Sequence, residues 1–561
     1  MNARLATADP PLAWVLLGRV SAITLAVFAP LAFLGVFFLW PVGRMVSMGF
    51  GVSGGLDLGR LGEILDRPRL WEVTWMTVQM AAGGTLLSLL LGIPGAYALY
   101  RLKIPAANAL RAFVSIPFVL PVMAVAVGFT SIFGPGSPLD SWGLMGTKSL
   151  VIMAMAFFNY SLVVRIIGPM WAGLDPRAEQ AASALGAGPT RVFVTVTLPR
   201  LIPAICSAAS MVFLFCASSY ALVQVLGGSG ATTLEAEIYN ETVAYMDYQA
   251  AAVLSILQIL IVVSSLVISE RLRGRVERSQ RMVEAEPRAP RAGDIPALAV
   301  TSATIIFLLA TPMIGLIARS LRRGGVWTLQ NYLDLARADA TNVLQASVVT
   351  SLGISLQTAL VAALIALAVG GTLSVVLSRR PSTRLGKAAT KVLDVIFMLP
   401  LGVSAVTVGF GFLVTLSGPP LSMATSWWLV PIAQAVVAIP MVARTMLPVL
   451  RAIDPRQHEA ARALGASPER VLATVDGPYL LRSGLVAAGF ALAISMGEFG
   501  ATSFLARPQT ATLPVAIYSL ASRPAAVEQG MAMAASVLLA VVTAAVMILV
   551  ERFRPAGSAL M

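Results

Sequence analysis

Asp175-Pro-Arg-Ala-Glu-Gln-Ala-Ala-Ser-Ala-Leu-Gly186 returns later in the chain as Asp454-Pro-Arg-Gln-His-Glu-Ala-Ala-Arg-Ala-Leu-Gly465. The offset is 279 residues, and 175–199 set against 454–478 gives 15 identities in 25. The same register pairs Thr233-Leu234 with Thr512-Leu513 and Ile238-Tyr239 with Ile517-Tyr518. Half of the chain has therefore been duplicated. The best-preserved part of the repeat is polar and lies between apolar stretches, so each half should present the same feature outside a membrane.

Composition supplies the membrane. With 57% hydrophobic residues, 12% charged residues and a mean hydropathy of +0.82, the chain is too apolar for a soluble globular protein. A bilayer is crossed by about 20 apolar residues. Roughly twelve such stretches occur, near 18–40, 74–100, 112–134, 149–171, 201–226, 249–269, 297–318, 348–378, 392–416, 427–449, 483–505 and 529–550. The expected fold is an all-α integral membrane protein of about twelve transmembrane helices in two six-helix repeats. An even number of spans starts and ends each half on one side, so the repeats are parallel about an axis along the membrane normal. We divide the chain into a first half, 1–268, a charged and Pro-containing linker, 269–296, and a second half, 297–561. No loop leaves room for a soluble catalytic or solute-binding domain.

The net charge of +13 would suggest nucleic acid in a soluble protein. Here Arg101, Lys103, Arg111, Arg177, Arg191 and Arg200, the run from Arg271 to Arg291, and Arg379 to Lys387 and Arg451 to Arg470 fall in alternate loops. By the positive-inside rule these loops, both termini and both repeated segments are cytoplasmic, and the charge needs no nucleic acid partner. The first span reads as a retained anchor. Cys206 and Cys216 lie ten positions apart on one expected helix, roughly 15 Å, beyond disulfide reach.

Within each repeated segment the signals are a Pro for a first helical turn, helix-forming residues, and a Gly able to take the positive φ that ends a helix. Small Ala side chains permit close approach of a partner. Glu459-Ala460-Ala461, Gly465, Val475 and Gly477-Pro478, at this spacing, resemble the EAA signature of permease subunits in bacterial binding-protein-dependent ABC importers. The first copy reads Gln180-Ala181-Ala182, Gly186, Val196 and Leu198-Pro199, with Gln at the acidic position and Glu179 just before it. The resemblance implies the type I importer permease fold in a bacterial inner membrane. It makes these segments coupling helices that seat in two ABC ATPase subunits on the cytoplasmic side. One soluble substrate-binding protein would deliver solute on the other side. No cofactor is implied.

No G-x-x-x-x-G-K-[ST] phosphate loop occurs, and Gly227-Gly228-Ser229-Gly230 lacks the lysine. His458 is the only histidine, which excludes a histidine-based metal cluster, and it is expected on the solvated face of its helix. No acid, base and nucleophile set converges in a loop, which disfavours an embedded enzyme. A twelve-helix secondary transporter shares the hydropathy pattern, but such a carrier has no partner to dock where the repeat is sharpest.

Glu498 falls inside the eleventh stretch, where an ionisable group is costly. It is either a pathway residue or half of a structural pair, and its counterpart at the 279 offset is Ser219. The loop 226–247 holds Glu235, Glu237, Glu241 and Asp247 without a basic residue. It reads as an acidic external surface, with Glu235 and Glu237 as candidate contacts for the binding protein. This loop, Gly497-Glu-Phe-Gly500 and Ala511-Thr-Leu-Pro514 resemble the fused two-permease subfamily, which implies thiamine or iron(III) as solute.

Overall fold

Long runs of Ala, Leu, Val and Ile leave backbone polar groups no partner but the run itself, and helices result. The structure, a computed structural model, describes residues 27–51, 58–274, 286–337, 343–379 and 383–551. Of the expected linker, residues 275–285 lie outside the described residues, as do both termini.

The first half runs through α1 (Val27–Gly49), α2 (Pro68–Arg101), α3 (Ala107–Val119), α4 (Val122–Phe133), α5 (Lys148–Ala172), α6 (Arg177–Ala184), α7 (Pro189–Ala217), α8 (Tyr220–Leu226), α9 (Leu234–Val243) and α10 (Tyr248–Gly274). The second repeats it as α11 (Ala292–Ser320), α12 (Val348–Ser378), α13 (Arg384–Met398), α14 (Ala405–Leu416), α15 (Leu429–Arg451), α16 (Pro455–Ala463), α17 (Pro468–Gly497), α18 (Thr502–Leu505), α19 (Leu513–Ala521) and α20 (Ala526–Glu551). The 279 offset survives in three dimensions. Pro189 and Pro468 open α7 and α17, and Leu234 and Leu513 open α9 and α19.

Among the described residues, ten helices of 21 to 34 residues are long and apolar enough to cross a membrane. The third and ninth expected spans are broken instead. Pro121, whose ring restricts the residue before it, separates α3 from α4 at a bend of 103°. A turn through Pro400 separates α13 from α14. The fifth and eleventh spans end earlier than their hydropathy suggests, at Ala217 and Gly497, and short helices follow.

The core of each half is a bundle of α2, α5 and α7, repeated as α12, α15 and α17. The first helix of each half crosses to the other. α1 packs on α14 as well as on α10, and α11 packs on α2 and α4 as well as on α20. Glycine makes both crossings close. A Cβ on Gly128 would lie 3.3 Å from the Pro312 carbonyl oxygen, and one on Gly411 would lie 3.3 Å from the Pro41 Cβ.

Candidate functional site: two repeated loops and the opposite end

The repeated segments form α6 and α16, short amphipathic helices with no buried residue, projecting from one end of the bundle. Each is opened by an aspartate: Asp175 Oδ1 accepts from the Arg177 amide, and Asp454 Oδ1 from the Arg456 amide, both at 2.9 Å. Each is closed by a Schellman turn. The Ala187 amide donates to Ala182 O at 3.1 Å and the Ala466 amide to Ala461 O at 3.0 Å. Gly186 at φ +83° and Gly465 at φ +77° sit in the left-handed region that a Cβ disfavours. The expected helix, glycine reversal and second helix are therefore present in both halves.

Gln180 and Glu459, aligned in the repeat, are exposed, as are Ala181 and Ala460, while Ala182 and Ala461 are half-buried. Sequence reading missed the residue just before each glycine. Leu185 is 90% exposed and Leu464 is 88% exposed, the same position in both loops. Hydrophobic pattern alone reads such a leucine as core, and only the repeat of an apolar residue inside a polar segment could have marked it.

Each loop is tied down by a different wiring of the same positions. In the first half Arg101 Nη2, at the end of α2, donates to Glu179 Oε2 at 2.7 Å, and Thr197 Oγ1 donates to Glu179 Oε1 at 2.9 Å. In the second half the acid has moved to the position of Thr197. Arg379 Nη2, after α12, donates to Asp476 Oδ2 at 2.6 Å, and His458 Nε2, in the position of Glu179, lies 2.8 Å from Asp476 Oδ1. His458 is thus a brace beneath its helix rather than a residue of the solvated face. Wide π-type turns at Phe193–Thr197 and Leu472–Asp476 aim Thr197 and Asp476 back at the loops.

α7 runs from the first loop for 29 residues, roughly 43 Å, so Ser219 and Glu498 lie toward the opposite end. Ser219 sits between α7 and α8, and Glu498 follows α17 in extended conformation. Among the described residues, Glu498 has no ion-pair partner. Its Oε1 accepts from the Ala501 amide at 2.7 Å and its Oε2 from the Thr502 amide at 3.0 Å, so the carboxylate, 7% exposed, satisfies the start of α18.

The expectation of an acidic surface at 226–247 is corrected. Glu235 is 1% exposed and takes a 3.4 Å hydrogen bond from Gln258 Nε2. Glu237 is also buried and is paired with Arg69 at 3.1 Å. Neither offers its carboxylate to a docking protein. The basic residues come from the preceding segment: Arg60 and Arg67 reach Asp247 at 3.1 and 3.3 Å. Burial opposes ionisation of Asp247, but the Ala250 amide and these guanidiniums outweigh it and hold the carboxyl below its ordinary value. The large hydrophobic side chains that the loop does expose include Val243, Tyr245 and Met246.

Comparison with known proteins places the whole arrangement. The thiamine transport system permease protein ThiP of Brucella abortus (strain 2308) is 26% identical over 503 residues, covering 86% of this chain and 88% of its own. ThiP of Escherichia coli (strain K12) is 27% identical over 468 residues, covering 80% and 83%. A solved bacterial ABC transporter involved in alginate import aligns with 47% of this chain and 99% of its own at 13% identity and a TM-score of 0.40. The family description "binding-protein-dependent transport system inner membrane component" matches twice, at residues 84–282 and 370–556, each match containing one repeated loop. This chain belongs to that family of inner-membrane permeases, with two permease units fused in one polypeptide.

Proposed function

We propose that this chain forms the complete translocation pathway of an ATP-driven importer of thiamine. The observation that carries the importer reading is the pair of loops, each closed by the same glycine turn and each presenting an unburied leucine. Their helices are the coupling helices, and Gln180, Ala181, Leu185, Glu459, Ala460 and Leu464 form their contact face. One ATPase subunit seats on each loop, so two are needed. The loops, the linker and both termini lie in the cytoplasm, in keeping with the basic residues near them. The halves divide at the linker between 269 and 296, and nucleotide hydrolysis belongs to the partners.

One soluble binding protein docks at the opposite end, where Tyr245 and Met246 project from a turn braced by Asp247. ATP-driven closure of the ATPases draws the loops together and parts the halves at that end. Thiamine is favoured over iron(III) by the relatives aligned along most of the chain. Among the described residues, moreover, no three His, Cys, Asp or Glu side chains group as metal ligands.

The test is reconstitution of the chain with its ATPase and binding protein in proteoliposomes. ATP-dependent accumulation of radiolabelled thiamine is expected. Iron(III) uptake without thiamine uptake would reassign the solute, and uptake by the isolated chain under a proton gradient would replace the importer by a secondary carrier.

A further inference from the structure

At the seam between the halves, toward the end opposite the coupling loops, Tyr220 and Phe499 stack with centroids 5.3 Å apart and planes 11° from parallel. These residues are each other's repeat counterparts, so the stack lies on the pseudo-twofold axis. Tyr239 and Tyr518, a second pair 279 apart, flank it: Tyr239 is 5.8 Å from Tyr220, and Tyr518 is 5.3 Å from Phe499. Phe504 closes on Tyr239 edge-on at 5.2 Å, and Gln224 Nε2 donates to the Tyr518 hydroxyl across the seam at 2.8 Å. Rings on the symmetry axis must separate whenever the halves part.

The carboxylates beside this stack lack what the other buried carboxylates have. Among the described residues, buried Glu237, Asp294, Asp334 and Asp476 each form a salt bridge. Glu235 and Glu498 form none. Glu498 precedes Phe499 in the chain, and Glu235 is hydrogen-bonded to the backbone of Tyr220. Backbone amides satisfy the oxygens of Glu498 but bring no opposite charge. Two buried acids without an ion-pair partner, one bonded to the backbone of Tyr220 and the other preceding Phe499 in the chain, combine with the stacked rings into a set of groups suited to a positive, flat molecule.

We propose that this cluster is a gate that binds a planar organic cation. Once the rings are parted by about one ring thickness, roughly 3.5 Å, the ring of the solute lies between Tyr220 and Phe499. Glu235 and Glu498 supply the counter-charge, and Gln224 and the tyrosine hydroxyls orient polar groups. The thiazolium of thiamine meets this description. The proposal rests on the importer reading above, in which the halves part at this end, and it names the class of solute the seam selects.

The experiment uses the complex with its ATPase in nanodiscs, trapped with vanadate, and measures equilibrium binding of radiolabelled thiamine and of N-benzylpyridinium, a simpler aromatic cation. Saturable binding of both to the wild type is expected. Phe499→Leu, Tyr220→Leu, Glu235→Gln and Glu498→Gln should each weaken binding by about tenfold, while Phe499→Tyr and Tyr220→Phe, which keep the ring, should bind within about twofold of wild type. Binding of neither probe to the wild type, or unchanged binding by the leucine variants, overturns the gate. If one leucine variant fails to assemble, the other and the glutamine variants decide the matter. The two assignments fail separately. N-benzylpyridinium binding that is lost in the leucine variants, without any thiamine uptake by the wild type, keeps the gate and removes thiamine. Thiamine uptake with an unchanged KM in those variants keeps thiamine and removes the gate.

Discussion

Leu185 and Leu464 expose apolar side chains at the tips of two otherwise polar helices, so their removal costs the isolated permease little and the assembled importer more. Burial of a leucine contributes about 1.5–3 kcal/mol. Leu464→Glu should therefore weaken ATPase association by about tenfold or more, read by titrating ATPase onto the permease in nanodiscs; unchanged affinity would remove the leucine from the interface. Gly465→Ala should strain the turn by about 1–2 kcal/mol and lower the stimulation of ATP hydrolysis by loaded binding protein, with Gly186→Ala acting in the same direction. The two glycines were legible in the sequence because a helix that stops between prolines asks for a positive φ at a known place. The leucines were not, because an apolar residue carries no sign of whether it meets its own fold or another. Glu235 and Glu237 were misread for a related reason: the cation beside Glu237, Arg69, lies 168 residues earlier. A local window cannot show such a partner.

At the scale of elements, each repeated loop helix is held by one carboxylate, placed on the helix itself in the first half and on the following helix in the second. Glu179→His or Thr197→Asp alone should loosen the first loop and reduce coupled hydrolysis. The double variant, which copies the His458 and Asp476 arrangement, should recover most of the loss, a non-additivity that a double-mutant cycle measures. At the other end, Arg60 and Arg67 fix the start of α10 through Asp247. Its carboxyl lies below the unfolded value, so its stabilisation is complete above about pH 4 and is lost as pH falls through the lower folded value. Thermal unfolding of the complex should show no pH dependence from this brace between about pH 5 and 8, where its stabilisation is constant, and Asp247→Asn should flatten the decline on the acid side. Ten of the twelve expected spans were legible from apolar length as continuous helices. The breaks at Pro121 and at Glu498 were not, because hydropathy averages over a kink and cannot see a carboxylate turned back onto its own backbone.

Over the whole molecule, the parallel repeat was legible from one offset and an even number of spans, whereas the exchange of first helices between the halves was not. Crossing depends on Gly128 against Pro312 and Gly411 against Pro41, contacts between segments whose local sequences give no hint of each other. Because each half already grips the other, two chains divided between Gly274 and Glu286 and expressed together should co-purify as one permease; recovery of separate halves would show that the covalent connection is required. The uneven bracing of the two loops matters at this scale as well. If, as proposed above, one ATPase copy seats on each loop, two identical copies would arrive as a symmetric engine on a handed mount, and the copy beside Glu179 would feel a different stiffness from the copy beside His458. Interchangeable subunits would thereby become a left and a right, and a transport cycle could fire them in a fixed order without any difference in their own sequence.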